Sequence, residues 1–345
     1  MKHFYTVVIL FITLGVYAQD VHFSHIHASP TIMNPAMTGL FDGDLRLILN
    51  YRSQWNNFTN GYKTLAASAD TKLIKIGKDD FIGAGMQLYK DVAGDLDFTT
   101  SYGGLSFSLL KGLDGRRKNY LSFGLQTSYM SNSVNYANII AHDNEPLIEG
   151  GSPDQINFWD ISAGLGWFYA FDNNNNMMYL GLSLAHINEP RVSFFEDGTG
   201  STDILKYRNL TIHGGADIRL NDDMSLKPNF VFKDQGPHRE IMIGSFWKYK
   251  KLRSKLRQPA SLYFGGWVRW YLDQKQDVRG TDAIVFAIRF DYKKMFITFS
   301  FDANISTLRR VSAGNGGPEL SLIKLFDYKK KRRRSQKVIC PAFRY

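Results

Sequence analysis

The stretch Asp160-Ile161-Ser162-Ala163-Gly164-Leu165-Gly166-Trp167-Phe168-Tyr169-Ala170-Phe171-Asp172 reads with a period of two. Ile161, Ala163, Leu165, Trp167, Tyr169 and Phe171 share one face, and Asp160, Ser162, Gly164 and Gly166 lie on the other. Successive side chains of a strand point to opposite sides, so this spacing describes a strand with a greasy face and a small, polar face. A helix would need the apolar positions three or four residues apart.

The same alternation recurs outward from this stretch. In Ile284–Asp291, Ile284, Phe286, Ile288 and Phe290 oppose Val285, Ala287, Arg289 and Asp291. Leu121, Phe123 and Leu125 alternate with Ser122, Gly124 and Gln126, and Ile82, Ala84, Met86 and Leu88 with Gly83, Gly85, Gln87 and Tyr89. In Leu210–Asn221 the polar face takes Thr211, His213, Gly215, Asp217 and Arg219. Fourteen segments follow this rule, near 44–55, 62–70, 81–90, 97–110, 120–133, 158–171, 177–188, 205–220, 224–233, 239–249, 259–270, 282–291, 295–304 and 319–326. An even number of strands about 10 residues long, apolar outside and polar inside, is the signature of an outer-membrane barrel. In lipid every backbone polar group must be paired, so such a sheet closes on itself. Two soluble β-sandwich domains would also alternate. Apolar faces repeated in nearly every strand, with small polar residues opposite, favour lipid outside. Trp55, Tyr120, Phe171, Tyr249, Trp270 and Tyr292 are expected at the lipid–water borders.

The connections alternate in character. Asn173–Asn176, Asn221–Asp223 and Tyr292–Lys294 are compact, whereas Val134–Asn157, Asn188–Ile204, Tyr271–Thr281 and Ile305–Pro318 are long. Short periplasmic turns and long outer loops are the expected asymmetry, with both termini on the periplasmic side. Arg46, Arg52, Asp217, Arg219 and Arg289 are expected in the lumen. The pairs Gly103-Gly104, Gly214-Gly215 and Gly265-Gly266 fall inside strands and read as bends or thin wall rather than phosphate cradles.

Composition agrees with this reading. The 345 residues are 44% hydrophobic, only 21% charged and 14% aromatic, enough apolar material to exclude disorder. One cysteine, Cys340, excludes a disulfide scaffold and any cysteine-based zinc or iron–sulfur site. Met1-Lys2-His3, the apolar run Phe4–Val16 and the small-residue ending Val16-Tyr17-Ala18 form a secretory signal peptide, cut near Ala18–Gln19. No cysteine follows the cut, so the signal is not that of a lipoprotein.

The net charge of +10 is concentrated at one end. Lys329, Lys330, Lys331, Arg332, Arg333, Arg334, Lys337 and Arg344 face the single acid Asp327 in the tail, and Lys248, Lys250, Lys251, Arg253, Lys255 and Arg257 surround one turn. By the strand count both lie in the periplasm. The long outer loops carry Asp143, Glu145, Glu149, Asp154, Glu189, Glu196, Asp197 and Asp203 instead. A basic run often marks nucleic acid, but an exported barrel meets little of it. The alternatives are a solvated tail near anionic headgroups or a docking face for an acidic partner. The residues expected to bind such a partner are Lys251, Arg253, Lys255, Arg257, Lys331, Arg332, Arg333 and Arg334.

Catalytic chemistry finds little support. His22, His25 and His27 lack a companion cysteine or a second cluster, so no metal is assigned to them. His186 and His213 lie among many serines, yet no spacing fixes a nucleophile–base pair. No enzyme activity, cofactor or metal site is expected.

Ordered motifs add a resemblance. Gln19-Asp20-Val21-His22-Phe23-Ser24, Pro30 and Asn34-Pro35-Ala36-Met37-Thr38-Gly39 resemble the mature start of the PorP/SprF family of type IX secretion proteins. Asn50-Tyr51-Arg52-Ser53-Gln54-Trp55, Asp91-Val92-Ala93-Gly94, Ser162-Ala163-Gly164-Leu165 and His186-Ile187-Asn188-Glu189-Pro190 follow in order. So do Phe301-Asp302-Ala303-Asn304-Ile305-Ser306, Gly316-Gly317-Pro318-Glu319-Leu320-Ser321-Leu322 and Cys340-Pro341-Ala342-Phe343. His25 and His27 depart from the family pattern.

The resemblance implies an all-β transmembrane antiparallel barrel of about 14 strands, of fatty-acid-transporter-like type, without enzymatic activity. It implies an outer-membrane component of the type IX secretion system that supports export or surface anchoring of proteins with a type IX C-terminal signal domain, such as gliding adhesins. Implied partners are the cargo's C-terminal domain, periplasmic secretion-ring or peptidoglycan-binding components, and outer-membrane lipid, with no nucleic acid. The expected organisation is signal peptide 1–18, an N-terminal segment 19–43 at the barrel mouth or lumen, barrel 44–326 and basic periplasmic tail 327–345. The rival function is a small-solute or lipid channel of the outer membrane.

Overall fold

The computed structural model describes residues 20, 23–24, 28–54, 61–77, 80–94, 97–114, 118–135, 155–171, 176–194, 204–221, 223–252, 260–273, 278–305 and 316–328. Fourteen antiparallel strands form one closed barrel in sequence order. They are β1 (Leu45–Gln54), β2 (Tyr62–Lys75), β3 (Phe81–Ala93), β4 (Phe98–Gly112), β5 (Asn119–Ser133), β6 (Gln155–Ala170) and β7 (Met177–Ala185). β8 (Asn209–Arg219), β9 (Met224–Gln235), β10 (His238–Leu252), β11 (Ala260–Asp273), β12 (Val278–Tyr292), β13 (Met295–Asn304) and β14 (Gly317–Phe326) complete the wall. The seam between first and last strands is closed in register from Leu45↔Phe326 to Arg52↔Glu319. No strand is left at a sheet edge along the wall, which satisfies the backbone rule for a chain in hydrocarbon. Among the described residues no helix is long and apolar enough to cross a membrane.

Burial follows the alternation. In β5, Leu121, Phe123, Leu125 and Tyr129 are exposed, whereas Tyr120, Ser122, Gln126, Ser128 and Met130 are buried. In β12, Phe286 is 57% and Ile288 52% exposed, while Val285, Ala287, Arg289 and Asp291 are buried. The apolar face is therefore the outside of the cylinder and the polar face its inside, the inverse of a soluble protein.

Three details differ from the sequence reading. Tyr120 is wholly buried and packs inside the barrel with Leu110, Phe168 and Phe246, because position 120 shares its face with Ser122 and Gly124. Phe171, Tyr249 and Trp270 are exposed, whereas Trp55 lies outside the described residues. The long loop expected at Tyr271–Thr281 is a four-residue connection, 274–277, because Trp270↔Thr281 through Asp273↔Val278 remain paired. A bulge between Arg269 and Trp270 lets Asp282 bend toward Arg269, whose Nε lies 2.8 Å from it. Arg219 is exposed at the end of β8 and bonds the Asn221 carbonyl instead of facing the lumen.

The two ends of the barrel differ. The end carrying the start of β1 and the close of β14 has short connections, such as the Lys293-Lys294 turn with both residues at positive φ. The opposite end carries the connections 134–154, 186–208 and 305–316. These are called the terminal end and the loop end.

Candidate functional site

The lumen is occupied by the chain's own N-terminal segment. The described residues of this strap are 20, 23–24 and 28–41, with Asp20 at the loop end and Phe41 at the terminal end just before β1, so the first described residue stands at the end opposite the one expected for both termini. It contains a one-turn helix, α1 (Pro30–Met33), and a 3-10 turn, Pro35–Met37. Both begin with proline, whose missing N–H is no loss at a first helical position. Ala28, Ala36, Met37, Leu40 and Phe41 are completely buried.

Wall side chains hold the strap largely through its main chain. Asn50 Nδ2 donates to the Ala28 carbonyl at 2.8 Å, Ser183 Oγ to Met33 O at 2.7 Å and Ser122 Oγ to Ala36 O at 2.7 Å. Arg46 Nη2 donates to Met37 O at 3.2 Å and Ser108 Oγ to Thr38 O at 2.6 Å. In the other direction the Ser24 N–H donates to Glu319 Oε2 at 2.7 Å and the Gly39 N–H to Asp70 Oδ2 at 2.7 Å. Buried peptide groups away from water must be paired, and here the wall supplies what secondary structure does not.

Asn34 is the centre of the terminal half. Its Oδ1 accepts from the Ala36 N–H at 2.9 Å, capping the 3-10 turn. Its Nδ2 lies 3.0 Å from Leu165 O, 3.3 Å from Leu182 O and 3.0 Å from His213 Nε2. The wall makes room by glycine. A Cβ at Gly164 would fall on Asn34 Oδ1, one at Gly124 on the Pro35–Ala36 peptide, and one at Gly181 on His213. Gly39, at φ +74, turns the strap where a Cβ on it would come within 3.1 Å of the Gly83 Cα. Such a backbone conformation favours glycine.

Ion pairs brace the wall around the strap. Arg46 and Asp70 pair at 2.8 Å with both side chains buried, and Arg46 stacks 4.9 Å above the Phe41 ring. Arg52 and Arg269 each reach Asp302 Oδ2 at 2.8 Å, with Glu319 3.8 Å from Arg52. Lys227–Asp217 and Arg289–Asp291 pair toward the terminal end, at 3.0 and 2.6 Å. Of the five lumenal charges expected, Arg46, Arg52, Asp217 and Arg289 form pairs in or beside the lumen.

At the loop end, His186 sits just after β7 with φ +56. Its Nδ1 is 2.8 Å from Asp160 Oδ1 and its Nε2 2.7 Å from Asp20 Oδ2. Lys206 Nζ is 2.8 Å from Asp20 Oδ1. Burial alone would raise the Asp20 carboxyl, but the His186 and Lys206 charges hold it well below the usual carboxylate range. Burial would likewise lower His186, yet the Asp20 charge and the hydrogen bonds that the ring donates to both carboxylates raise it. A cavity of about 100 Å³ lies beside this cluster, lined on the strap side by Phe23, Ile32 and Met33 and on the wall side by Tyr89, Met130 and Met242. From the described part of the β7–β8 connection, Val192 packs on the cluster of Tyr89, Tyr102 and Met130, and Phe194 meets Phe98 edge-on at 6.2 Å. Neither His186 nor His213 is bonded to a serine; each ring is committed to strap and wall.

A family model for the type IX secretion system membrane protein PorP/SprF matches residues 15–322. The chain belongs to the PorP/SprF family. It is accordingly an outer-membrane component of the type IX secretion system. Among the curated proteins none matches this chain. Several solved barrels are similar in shape. They include the monoaromatic hydrocarbon channel TodX (11% identity, 86% of this chain, 93% of that chain, TM-score 0.46) and the toluene transporter TbuX of Ralstonia pickettii (11%, 87%, 94%, 0.43). BamA of Haemophilus ducreyi lacking POTRA domains 1–3 is another (11%, 82%, 70%, 0.43). At these identities and scores the likeness concerns barrel shape alone and says nothing of what this lumen passes.

The basic residues singled out in the sequence are not brought together here. Lys251 belongs to β10, whereas Arg253, Lys255, Arg257, Lys331, Arg332, Arg333 and Arg334 lie outside the described residues. His22, His25, His27, Cys340 and residues 1–19 lie outside them too. The strap anchors Asn34, Asp70, Glu319 and Lys206 were not singled out for that role. One signal for them was legible: a run of inward glycines, Gly83, Gly85, Gly124, Gly164 and Gly181, far more than strand curvature needs.

Proposed function

We propose that this PorP/SprF protein is a non-enzymatic, plugged barrel that binds and escorts or anchors proteins carrying a type IX C-terminal signal domain, gliding adhesins among them, while a separate, larger pore translocates them. The observation that supports this reading is that the described strap residues, 20, 23–24 and 28–41, lie in the lumen and are tied to the wall through main-chain hydrogen bonds. A folded adhesin has no path through such a cylinder, and a steady small-solute channel would need the strap gone.

The ends then take different partners. Short connections belong to the periplasm and long ones to the cell surface in barrels of this kind. The terminal end faces the periplasm, where Lys251, Arg253, Lys255, Arg257 and Lys331–Arg334 form a basic docking face for secretion-ring or peptidoglycan-binding components. The acidic connections 134–154 and 186–208 face outward and meet cargo. The signal peptide is removed near Ala18–Gln19.

Binding of purified barrel to a C-terminal signal domain encoded nearby tests the cargo half. Deleting residues 327–345 tests the periplasmic half, and should reduce both secretion and recovery of the complex. No binding to any such domain, together with intact secretion by the truncated protein, would refute the proposal.

A further inference from the structure

The Asp20 carboxylate is received by four donors, two from the β7–β8 connection and two from the wall. His186 Nε2 and Lys206 Nζ lie at 2.7 and 2.8 Å, Asn209 Nδ2 at 3.0 Å and Gln235 Nε2 at 3.1 Å. Gln235 also reads the main chain: its Oε1 accepts the Asp20 N–H at 3.3 Å. A free small acid could offer the carboxylate but not that N–H. The donors are held by the wall without help from Asp20. Asp160 orients His186, and Asn209 Oδ1 accepts from Thr211 Oγ1 at 3.3 Å. The Lys206 main-chain N–H donates to Pro190 O at 2.9 Å, fixing the backbone from which the ammonium projects. This is a preformed receptor whose present occupant is part of the same chain.

The occupant is open to solvent on one side. Its side chain keeps 20% of its exposure at the loop end, and the adjoining cavity of about 100 Å³ leaves room beside it. The glycine contacts that key the strap into the wall lie at Asn34–Gly39, farther down, so release of residue 20 leaves them seated.

We propose that His186, Lys206, Asn209 and Gln235 form a recognition site for an acidic residue of a polypeptide, that Asp20 fills it as an internal ligand, and that an acidic residue of a partner polypeptide competes for it. The site is defined by residues of the wall and the β7–β8 connection and does not depend on the secretion reading.

The test uses the mature barrel purified in detergent, with a hexapeptide of the sequence Gln19–Ser24 as probe, its Asp20→Asn form as control, and acetate as a free carboxylate. Hydrogen exchange at residues 20–33 of the wild-type barrel should rise with the acidic peptide and not with the control. In the Asp20→Asn barrel, which keeps the shape of the side chain, the acidic peptide should bind at least roughly tenfold more tightly than the control, as expected for hydrogen bonds to a charged group. Removing a cation by Lys206→Met should abolish that preference. Acetate competing as well as the peptide would contradict recognition of a polypeptide. Equal binding of acidic and control peptides, or wild-type exchange unmoved by saturating acidic peptide, would overturn the site itself.

Discussion

Gly164 lies directly against Asn34: a methyl group on Gly164 would occupy the place of the Asn34 side-chain oxygen. Strap and wall are thus complementary to the level of one carbon atom, at the residue that caps the 3-10 turn and reaches the Leu165 and Leu182 carbonyls.

Replacing Gly164 by leucine should unseat the terminal half of the strap. Overpacking a filled interior costs about 1–3 kcal/mol, and the strap's freed peptide groups add to it. The expected result is a lower unfolding midpoint on heated gels together with protease sensitivity near Asn34. Leu165→Met, one position along on the lipid face, should leave both unchanged.

The Asp20–His186 contact gives the strap end a pH window. His186 titrates above its ordinary value of 6.5, so its contribution is complete below that pH and is lost as pH rises through the higher folded value. Asp20 titrates below its ordinary 3.8, so its contribution is present above that pH and is lost as pH falls through the lower folded value. The groups facing this pair are Asp160 from β6 and Lys206 from the β7–β8 connection, with Lys233 and Glu240 across the cavity. Protection against hydrogen exchange at residues 20–33, taken relative to the intrinsic exchange rate at each pH, should be greatest between about pH 4 and 6.5 and fall on both sides. His186→Gln should remove the alkaline arm and shrink the acid arm to what Lys206 still sustains.

Arg46 and Asp70 form a wholly buried pair that also holds the Met37 carbonyl and the Gly39 N–H. Removing one partner leaves an uncompensated charge, so Asp70→Asn or Arg46→Leu should each cost about 3–5 kcal/mol. The double variant should cost clearly less than the sum. Equilibrium unfolding into denaturant from lipid vesicles measures all three.

The outward face makes a complementary prediction. Phe286 is exposed on β12, so Phe286→Lys should destabilise by about 2–4 kcal/mol if it faces the hydrocarbon middle. Phe286→Leu should be nearly silent. In a soluble protein an exposed position would tolerate lysine better than leucine, so the sign of the difference identifies the solvent.

All fourteen strands were legible because one face of each must satisfy lipid, and a period of two survives without any knowledge of pairing. Tyr120 shows where that logic was misapplied: the face follows from Leu121 and Phe123, and an aromatic residue near a strand end is no guide against it. The strap was much less legible. Pro30–Phe41 carries no period, and its fit depends on wall residues 80 to 180 positions away in sequence, such as Ser122 and His213. The role of Asp20 was hidden for the same reason, since its donors come from positions 186, 206, 209 and 235. The resemblance placed residues 19–43 at the barrel mouth or lumen, and the inward glycines agree with a close approach to the wall, but neither told which wall residues receive the strap.

Ion conductance of the purified barrel in a planar bilayer tests the plugged lumen most directly. With Asp20–Phe41 seated, the protein should insert and stay electrically silent. A steady open current from intact, strap-containing protein would mean that the lumen conducts, and would favour the channel over the binding and anchoring role.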